Sequence, residues 1–468
     1  MALNSIVWLR NDLRIADNPA LSTAARSGGT VIAVYIHETT EGVRVPGAAA
    51  RWWLHHSLGA LGAALAERGV ALQVRSGDAR AIIPALVAEH GATAVFWNRR
   101  YAPGECEADA DIKRQLRQTD VQVDSFVANV LVEPWAIATG QGKPYSVFTP
   151  FWKKLRDMAI PTPLAPPPAG PSRLASPIDD EYRPPKWSSK LAPHWSIGEA
   201  AAKQRLADFL DEQLEQYPAG RDFPHRSATS LLSPHLRFGE ISPRQVWHAA
   251  QAIAHAETDR QSAIDKFLSE LAWRDFSYHQ LYYREAIESV PMQPKYAGIA
   301  WRDARADLTA WQQGRTGLPI IDAGMRELWN TGYMQNRVRM LVASLLTKNL
   351  LIDWRLGEQW FWDCLVDADV ANNPTSWQWV AGSGLDAAPY FRIFNPVTQG
   401  ERFDAAGDYI RHWVPELSRL PAEWIHHPWD APRPVLQTAG VTLGVDYPIP
   451  IVDLKTSRAR ALEAAAQL

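Results

Sequence analysis

The run SELAWRDF combines three side chains that could share one chemical task. Glu270 stands three residues before Trp273 and four before Arg274, so a helix would turn all three toward the same side. A carboxylate, an indole and a guanidinium are costly to bury together without polar partners. The run therefore predicts the wall of a polar cavity. A surface ion pair beside a half-buried tryptophan is the alternative.

A second run, TSLLSPHLRFGEISPRQ, contains two predicted helix starts. Ser233 and Ser242 are each followed by proline, and Gln245 completes a capping box with Ser242. Two neighbouring helix N-termini would offer backbone N–H groups to an anion. The hydroxyls of Thr229, Ser230 and Ser233 are donors that a pyrophosphate accepts. Two ordinary capped helices are the alternative.

Two further runs follow. In TGYMQNRVRMLVASLL, Asn336 and Met340 interrupt an apolar helical stripe at a spacing of four, while Arg337 and Arg339 project to other sides. The run DADVANNPTSWQW predicts a polar loop ahead of a helix, able to present carboxylate and amide groups to a heteroaromatic ring. The loop's polar residues are Asp367, Asp369, Asn372 and Asn373.

Trp377 and Trp379 end this last run. Each residue turns a helix by about 100°, so two indoles in these positions point about 200° apart. We expect them to face two different compartments. The chain has 21 tryptophans, most of them after residue 270, and burial in an aromatic core is the alternative for any single one.

The elements that must position these residues change along the chain. Residues 1–157 alternate β-rich and helical runs, which predicts an α/β domain with a doubly wound parallel sheet. The strand candidates are SIVWLR, VIAVYIH, ALQVRS, AVFWNR and VQVDSFV. Asn18 is the predicted cap of the first helix, and Gly28, Gly69 and Gly91 are predicted to end the first three. No GxGxxG follows the first strand, which argues against a dinucleotide bound in the Rossmann manner.

The rest of the chain has a different pattern. Residues 158–196 are rich in proline and predict a semi-extended connector, with a disordered linker as the alternative. From 197 to 468 apolar residues recur at helical spacing, which predicts an all-α C-terminal domain.

Composition narrows the class of protein. With 468 residues, 46% hydrophobic and 21% charged, the chain is typical of a globular protein of two or three domains. A net charge of -3 gives no hint of a polyanion partner. Cys106 and Cys364 form no CxxC pattern, and we expect no disulfide scaffold, no metal site and a reducing cytoplasm. No run of 18 apolar residues occurs, so we expect a protein that neither spans a membrane nor is secreted.

The runs WLRNDLRIADNPAL, SELAWRDF, TGYMQNRVRM, NLLIDWR and DADVANNPTSWQWVAGSGLDAAPYFRIFNP together resemble the photolyase/cryptochrome family. The resemblance implies an N-terminal α/β domain that holds an antenna chromophore and a helical C-terminal domain that holds FAD. It implies FAD contacts at Tyr217, Thr229, Ser230, Ser233, Arg274, Arg339, Asp367, Asp369 and Asn373. It also implies an electron-carrying tryptophan chain at Trp377, Trp354 and Trp301.

On the substrate side, the resemblance implies light-driven repair of cyclobutane pyrimidine dimers by electron transfer from reduced FAD. Contacts to a flipped-out dimer are implied at Glu270, Trp273, Asn336, Arg337, Met340 and Trp379. Trp273 and Trp379 would stack on the lesion, and Glu270 would hydrogen-bond the pyrimidine edge and stabilise its radical anion. The implied partner is UV-damaged DNA, single- or double-stranded, bound by a monomer.

The subclass rests on fewer residues. LSPHLRFGE and ANNPTSWQWVAGSG resemble class III photolyases, which implies a methenyltetrahydrofolate antenna with Glu105 as its contact. Gly104 stands where class I enzymes have asparagine, which leaves class I and the identity of the antenna open. A cryptochrome-type photosensor and a six-four photolyase are the alternative functions. Retention of the dimer contacts argues against the first, and YMQNRVRM in place of paired histidines argues against the second.

Overall fold

The computed structural model describes residues 4–169, 181–284, 286–386, 389–390 and 392–468. The chain forms two compact units. Unit 1 comprises residues 1–215, 230–285 and 367–372, and unit 2 comprises residues 216–229, 286–366 and 373–468. Each unit is thus assembled from separate stretches of the chain. Among the described helices, none is both long and apolar enough to cross a membrane.

A parallel five-stranded sheet forms the centre of the α/β part of unit 1. Its strands are β1 (Asn4–Leu9), β2 (Val31–Glu38), β3 (Ala71–Gly77), β4 (Ala92–Asn98) and β5 (Gln122–Phe126). They lie in the order β3-β2-β1-β4-β5, so the connections run outward from β1 in both directions. All five predicted strands and the doubly wound sheet are confirmed.

Five helices alternate with these strands or follow them. They are α1 (Pro19–Arg26), α2 (Ala48–Ala66), α3 (Ala79–His90), α4 (Pro103–Arg117) and α5 (Phe148–Arg156). Asn18 caps α1 as predicted, because its Oδ1 accepts from the N–H of Leu21 at 3.1 Å. Gly91 ends α3 in the left-handed conformation, whereas Gly28 and Gly69 lie a little beyond the ends of α1 and α2.

The proline-rich connector is anchored in unit 1 where it is described. Residues 161–169 form no helix or strand, as predicted, and Leu164 exchanges hydrogen bonds with Asp17 at 2.9 Å. Residues 170–180 lie outside the described part of the chain. Further on the prediction is wrong, because Lys186–Lys190 and Ala192–His194 form short 3-10 helices.

The remaining described chain is helical, as predicted. Its helices are α6 (Glu199–Asp208), α7 (Tyr217–Gly220), α8 (Ser233–Phe238), α9 (Pro243–Ala256), α10 (Gln261–Tyr283), α11 (Arg305–Gln312), α12 (Pro319–Thr331), α13 (Asn336–Ser344), α14 (Trp354–Cys364), α15 (Asn372–Ala381), α16 (Pro396–Phe403), α17 (Asp408–Trp413), α18 (Ala422–Ile425), α19 (Arg433–Ala439) and α20 (Leu454–Ala466). Segments Phe209–Gln213 and Leu345–Asn349 are π-helical.

The loop after β1 is joined to the end of α8 by a close approach of the two backbones. Gly239 has φ +67°, and a Cβ at this position would collide with the carbonyl oxygen of Asn11. Arg14 donates to the Gly239 carbonyl at 2.9 Å, and Arg237 donates to Asn11 Oδ1 at 2.7 Å. The run WLRNDLR therefore anchors a helix that lies more than 200 residues later in the chain.

Candidate active site

Glu270, Trp273 and Arg274 lie on α10 at the predicted spacing, and all three are half-buried. Lys266, one turn earlier on the same helix, donates to Glu270 Oε1 at 2.7 Å. The Trp273 ring stacks on Phe148 with centroids 3.8 Å apart and ring planes inclined by 10°. Each of the two side chains therefore has a partner within unit 1.

Arg274 ties α10 to two other segments of unit 1. Its guanidinium donates to the carbonyl of Asn129 and, at 3.4 Å, to that of Leu236 in α8. It also lies 4.8 Å from the centre of the Tyr278 ring. The common face of the three residues is confirmed, and the partly exposed Lys266–Glu270 pair beside a half-buried Trp273 matches the alternative, a surface ion pair. The polar cavity stays a prediction, and Arg274 is held by backbone carbonyls and an aromatic face.

A short acidic strap, residues 367–372, packs against α8 and α10 in unit 1. Ser233 donates to Asp367 Oδ2 at 2.6 Å, and Tyr278 donates to Asp369 Oδ2 at 2.6 Å. The N–H groups of Ala371 and Asn372 donate to the other oxygen of Asp369. Because Asn372 and Asn373 open α15, only part of the expected polar loop is a loop.

Asp369 is a fixed, ionised carboxylate. Burial raises the pKa of Asp369, but Arg274 and Arg237, together with the hydrogen bond from Tyr278, outweigh burial and bring the pKa below its ordinary value. Asp275 behaves in the opposite way. Its burial raises the pKa to about 7, although Arg274 and the N–H groups of Leu131 and Val132 favour the ionised form.

Both predicted helix starts are confirmed, because α8 begins at Ser233 and α9 begins after Ser242. Ser242 caps α9 in a capping box with Gln245. Ser233 is the first residue of α8 and Leu232 is its N-cap, without a side-chain capping bond, while the Ser233 hydroxyl donates to Asp367. α8 has only six residues, so the expected pair of anion-binding helix N-termini is reduced to one.

In unit 2, α13 presents the third predicted group. Gln335 caps this helix by accepting from the N–H groups of Arg337 and Val338. Asn336 Nδ2 lies 3.9 Å from Met340 Sδ, which confirms that the two share a face. Arg337 pairs with Asp222 at 2.7 Å. Arg339 donates to the Met334 carbonyl at 2.6 Å and thereby fixes the start of its own helix.

Asn373 is held in one orientation by a buried acid. Its Nδ2 donates to Glu358 Oε1 at 2.8 Å and to the Glu358 carbonyl at 3.1 Å. Both donated bonds leave from the amide nitrogen, so the amide oxygen Oδ1 is directed away from Glu358. Asn373 can therefore act as a hydrogen-bond acceptor toward a ligand.

Trp377 is enclosed by aromatic edges in unit 2. Its ring makes edge contacts with Phe361 at 5.0 Å and with Trp311 at 6.2 Å, and the side chain is only 2% exposed. A Cβ on Gly357 would collide with this ring. Trp379, two residues later, is half-buried, so the two indoles do lie in different surroundings, as expected.

Trp354 and Trp301, the other two residues of the predicted electron-carrying chain, differ in burial. Trp354 opens α14 and is buried. Trp301 is half-buried and packs against the cluster of Ile299, Leu351 and Tyr390. The N–H of Arg302 donates to the Leu351 carbonyl, which brings the Trp301 segment beside the residues that lead into α14.

The remaining predicted contacts fall in two places. Tyr217, in unit 2, is buried and accepts from Arg221 at 3.2 Å. Thr229 belongs to unit 2, whereas Ser230 and Ser233 belong to unit 1. Within unit 1 the structure brings together Ser233, Arg274, Asp367 and Asp369 through α8, α10 and the strap.

Glu105 is the third residue of α4, and its Oε2 accepts from the N–H of Ala102 at 3.2 Å. Burial raises the pKa of Glu105, an effect that Arg100 partly offsets. A Cβ at position 104 would collide with the Gly42 carbonyl. The loop around Gly42 therefore explains why glycine precedes this glutamate.

An aromatic surface lies beside the N-terminus of α4. Tyr101 contacts Trp135 at 6.2 Å, and Trp135 contacts Tyr282 at 5.1 Å. Trp135 is 46% exposed and Tyr282 is 40% exposed. Two large exposed rings side by side can bind a flat heterocycle by stacking.

Sequence reasoning missed four residues that contact the predicted ones: Lys266, Phe148, Arg237 and Glu358. Lys266 could have been found, because it stands four residues before Glu270 on a predicted helix. The other three are distant in the chain from the residues they contact, and no local spacing reveals such pairs.

Two family models match the chain. The model described as "DNA photolyase" matches residues 5–171, and the model described as "FAD binding domain of DNA photolyase" matches residues 267–467. An α/β region followed by an FAD-binding helical region defines a flavoprotein class.

Relatives of nearly full length agree with these models. A deoxyribodipyrimidine photo-lyase of Agrobacterium fabrum is 47% identical over 98% of this chain and 97% of its own length. Cryptochrome-1 of Arabidopsis thaliana is 39% identical over 99% of this chain and 70% of its own length. The crystal structure of a bacterial class III photolyase from Agrobacterium tumefaciens superposes with a TM-score of 0.94 at 46% identity and covers 100% of this chain and 98% of that chain. The chain belongs to the DNA photolyase family, and the predicted likeness to class III members is confirmed.

The donor set suits FAD. Its diphosphate needs cations, of which Arg274 is one, and its ribose hydroxyls need acceptors, of which the ionised Asp369 is one. The reduced flavin ring carries an N–H donor, for which the oriented Asn373 Oδ1 is an acceptor. The residues present are thus compatible with the cofactor that the family model names.

Proposed function

We propose that this protein repairs cyclobutane pyrimidine dimers in DNA under blue light. The observation that carries the proposal is the face of α10, where a lysine-paired Glu270 and a Phe148-backed Trp273 stand side by side. Photo-lyases similar over nearly the whole chain support the same activity. An enzyme that acts on a base must take it out of the duplex, and a poorly stacked lesion costs less to flip.

The residues proposed to hold the lesion are Glu270, Trp273, Asn336, Arg337, Met340 and Trp379. Trp273 and Trp379 would stack on the pyrimidines, each stacked base contributing about 1–3 kcal/mol. The Glu270 carboxylate would accept from the imide N–H of one pyrimidine, and Asn336 would hydrogen-bond its neighbour. Basic side chains such as Arg337 would contact phosphates in a salt-dependent manner.

FAD would be held by Tyr217, Thr229, Ser230, Ser233, Arg274, Arg339, Asp367, Asp369 and Asn373. Reduced FAD, when bound, supplies on illumination an electron that is returned after the two cyclobutane carbon–carbon bonds have broken. Asn373 Oδ1 would accept a hydrogen bond from N5 of the reduced ring, since Glu358 occupies its amide nitrogen. Asp369, ionised before any ligand binds, would accept from a ribose hydroxyl.

Trp377, Trp354 and Trp301 would carry electrons toward FAD. The enclosed position of Trp377 supports this role, because an indole with only 2% exposure is shielded from water. Trp301 is half-buried, as expected for the end of such a chain that exchanges electrons with solvent.

The antenna would be methenyltetrahydrofolate, bound at Glu105. The exposed rings of Trp135 and Tyr282, packed beside the buried Tyr101, support this assignment, because a pterin ring could stack there next to the N-terminus of α4. Residues 1–157 would be the antenna domain, 158–196 the connector and 197–468 the FAD-binding catalytic domain. Extraction of the bound pigment and its absorption spectrum test the antenna directly.

We further propose that the protein acts as a monomer in the cytoplasm, on lesions in single- or double-stranded DNA. Neither Cys106 nor Cys364 takes part in a disulfide in the described structure, which supports a reducing compartment.

Chemically reduced protein mixed with UV-irradiated oligothymidylate tests the function. Thymine absorbance should recover under blue light and not in darkness, and recovery should be lost in Glu270→Ala and Trp379→Ala protein. If bound FAD is reduced by light but thymine absorbance never recovers in the natural protein, the cryptochrome-type photosensor is the better reading.

A further inference from the structure

Phe148 lies against one whole face of Trp273. The 3.8 Å separation of the ring centroids and the 10° between the ring planes mean that the two rings overlap almost completely. Aromatic pairs usually prefer offset or edge-on arrangements, so a parallel overlap at this distance depends on the surrounding structure. One face of the indole is therefore closed to any ligand.

The opposite face of Trp273 is not covered by the other ring that contacts it. Phe276 lies 5.7 Å from the Trp273 centroid and 5.8 Å from the Phe148 centroid. A ring almost equally far from both members of a stack stands beside the stack, not over its outer face. Because Phe148 closes the inner face, the exposed part of the half-buried Trp273 belongs to its edges and its outer face, and of these only the outer face can stack on a base.

The chain that carries Phe148 is fastened to α10 by two hydrogen bonds. The N–H of Tyr145 donates to His279 Nε2 at 2.9 Å, and Gln280 donates to the Tyr145 carbonyl at 2.9 Å. Since His279 Nε2 accepts, its Nδ1 carries the proton and donates to the Pro134 carbonyl at 3.0 Å. Burial lowers the pKa of His279 to about 4, which keeps the ring neutral and able to accept.

We propose that Phe148 is a specificity-determining positioning residue, which fixes the plane of Trp273 so that its outer face alone receives a pyrimidine of the dimer. The inference rests on the proposed function and adds a residue of α5 to lesion recognition. Without the Phe148 ring, the indole can turn about its side-chain bonds, and part of the stacking free energy is spent on ordering it.

Two variants and a matched control test this role. Phe148→Leu keeps an apolar side chain of similar size but removes the flat face, and Phe148→Tyr restores the face. Phe151→Leu is the control, because Phe151 is a buried residue of the same helix whose ring contacts Phe276 and His279. The holoprotein's dissociation constant is measured in darkness for an oligonucleotide with one thymine dimer and for the same undamaged oligonucleotide.

We expect Phe148→Leu to reduce the preference for damaged DNA by about two- to tenfold, the range of an aromatic pair, while repair at saturating substrate changes little. Phe148→Tyr should restore the preference for damaged DNA. Phe151→Leu should retain this preference even though it lowers thermal stability as much as Phe148→Leu does. If both leucine variants lower the preference equally, or tyrosine restores nothing, Phe148 is only a core residue. If the natural protein itself shows no preference for dimers, the proposed function fails instead.

Discussion

Trp273 and Trp377 are built into their units in opposite ways. Trp273 is stacked face to face on Phe148 and is half-buried, so one broad face is left for a ligand. Trp377 meets Phe361 and Trp311 through edges and is 2% exposed, so no face is left for a base. The same residue type thus offers a broad face in one place and is shielded from water in the other, as the binding and electron-transfer roles proposed for the two residues require.

The rate of light-driven reduction of bound FAD should distinguish the two tryptophans most strongly. Trp377→Phe should nearly abolish light-driven reduction of bound FAD by an external thiol, because phenylalanine is far harder to oxidise than tryptophan. Trp273→Ala should lower that rate much less. Absorbance of the oxidised flavin under continuous blue light measures both variants, and equal rates would remove the distinction between the two tryptophans.

For binding to damaged DNA, the order of the two variants should be reversed. Trp273→Ala should weaken binding to dimer-containing DNA by about 5- to 150-fold, which corresponds to about 1–3 kcal/mol for one stacked base. Trp377→Phe should weaken it far less, because Trp377 offers no open face. Fluorescence anisotropy with a labelled oligonucleotide gives both dissociation constants. A similar loss in the two variants would mean that the buried indole affects the site through packing.

Gly357 tests how tightly Trp377 is enclosed. Gly357→Ala should lower the free energy of unfolding by about 3 kcal/mol, since the added methyl collides with the Trp377 ring and with Leu346. Gly59→Ala is the matched control: Gly59 lies inside α2 with open space around its Cβ position, so alanine there should stabilise by up to about 1 kcal/mol. Denaturant unfolding measures both, and an unchanged midpoint for Gly357→Ala would contradict the close packing.

The free energy of unfolding should depend on pH through Asp275, a buried carboxyl on the same helix as Trp273. The pKa of Asp275 is raised to about 7, so the stability linked to its protonated form is complete at low pH and is lost as the pH rises toward 7. Between pH 5 and pH 7 the natural protein should lose about 2 kcal/mol relative to Asp275→Asn. Unfolding curves at several pH values test this, and parallel pH profiles for the two proteins would show that Asp275 is ionised throughout.

Local patterns allowed much of this architecture to be predicted. The strands were identified from β-rich runs between helix signals, and the common face of Glu270, Trp273 and Arg274 follows from helical spacing alone. The helix start at Ser233 was predicted, but the hydrogen bond from its hydroxyl to Asp367 was not, because Asp367 lies 134 residues away in the chain. Phe148 beneath Trp273, Glu358 beneath Asn373 and Gly357 beneath Trp377 could not be predicted, since each pair is created by packing between separate elements.

Light-driven repair of cyclobutane dimers can be tested with two oligonucleotides, one with a single cyclobutane thymine dimer and one with a single six-four photoproduct. Each is mixed with the chemically reduced protein and illuminated with blue light, and the products are separated by chromatography. We expect conversion of the cyclobutane dimer to two thymines in light only, with the six-four product unchanged. Repair of the six-four product, or of neither lesion by protein whose FAD is fully reduced, would contradict the proposed function.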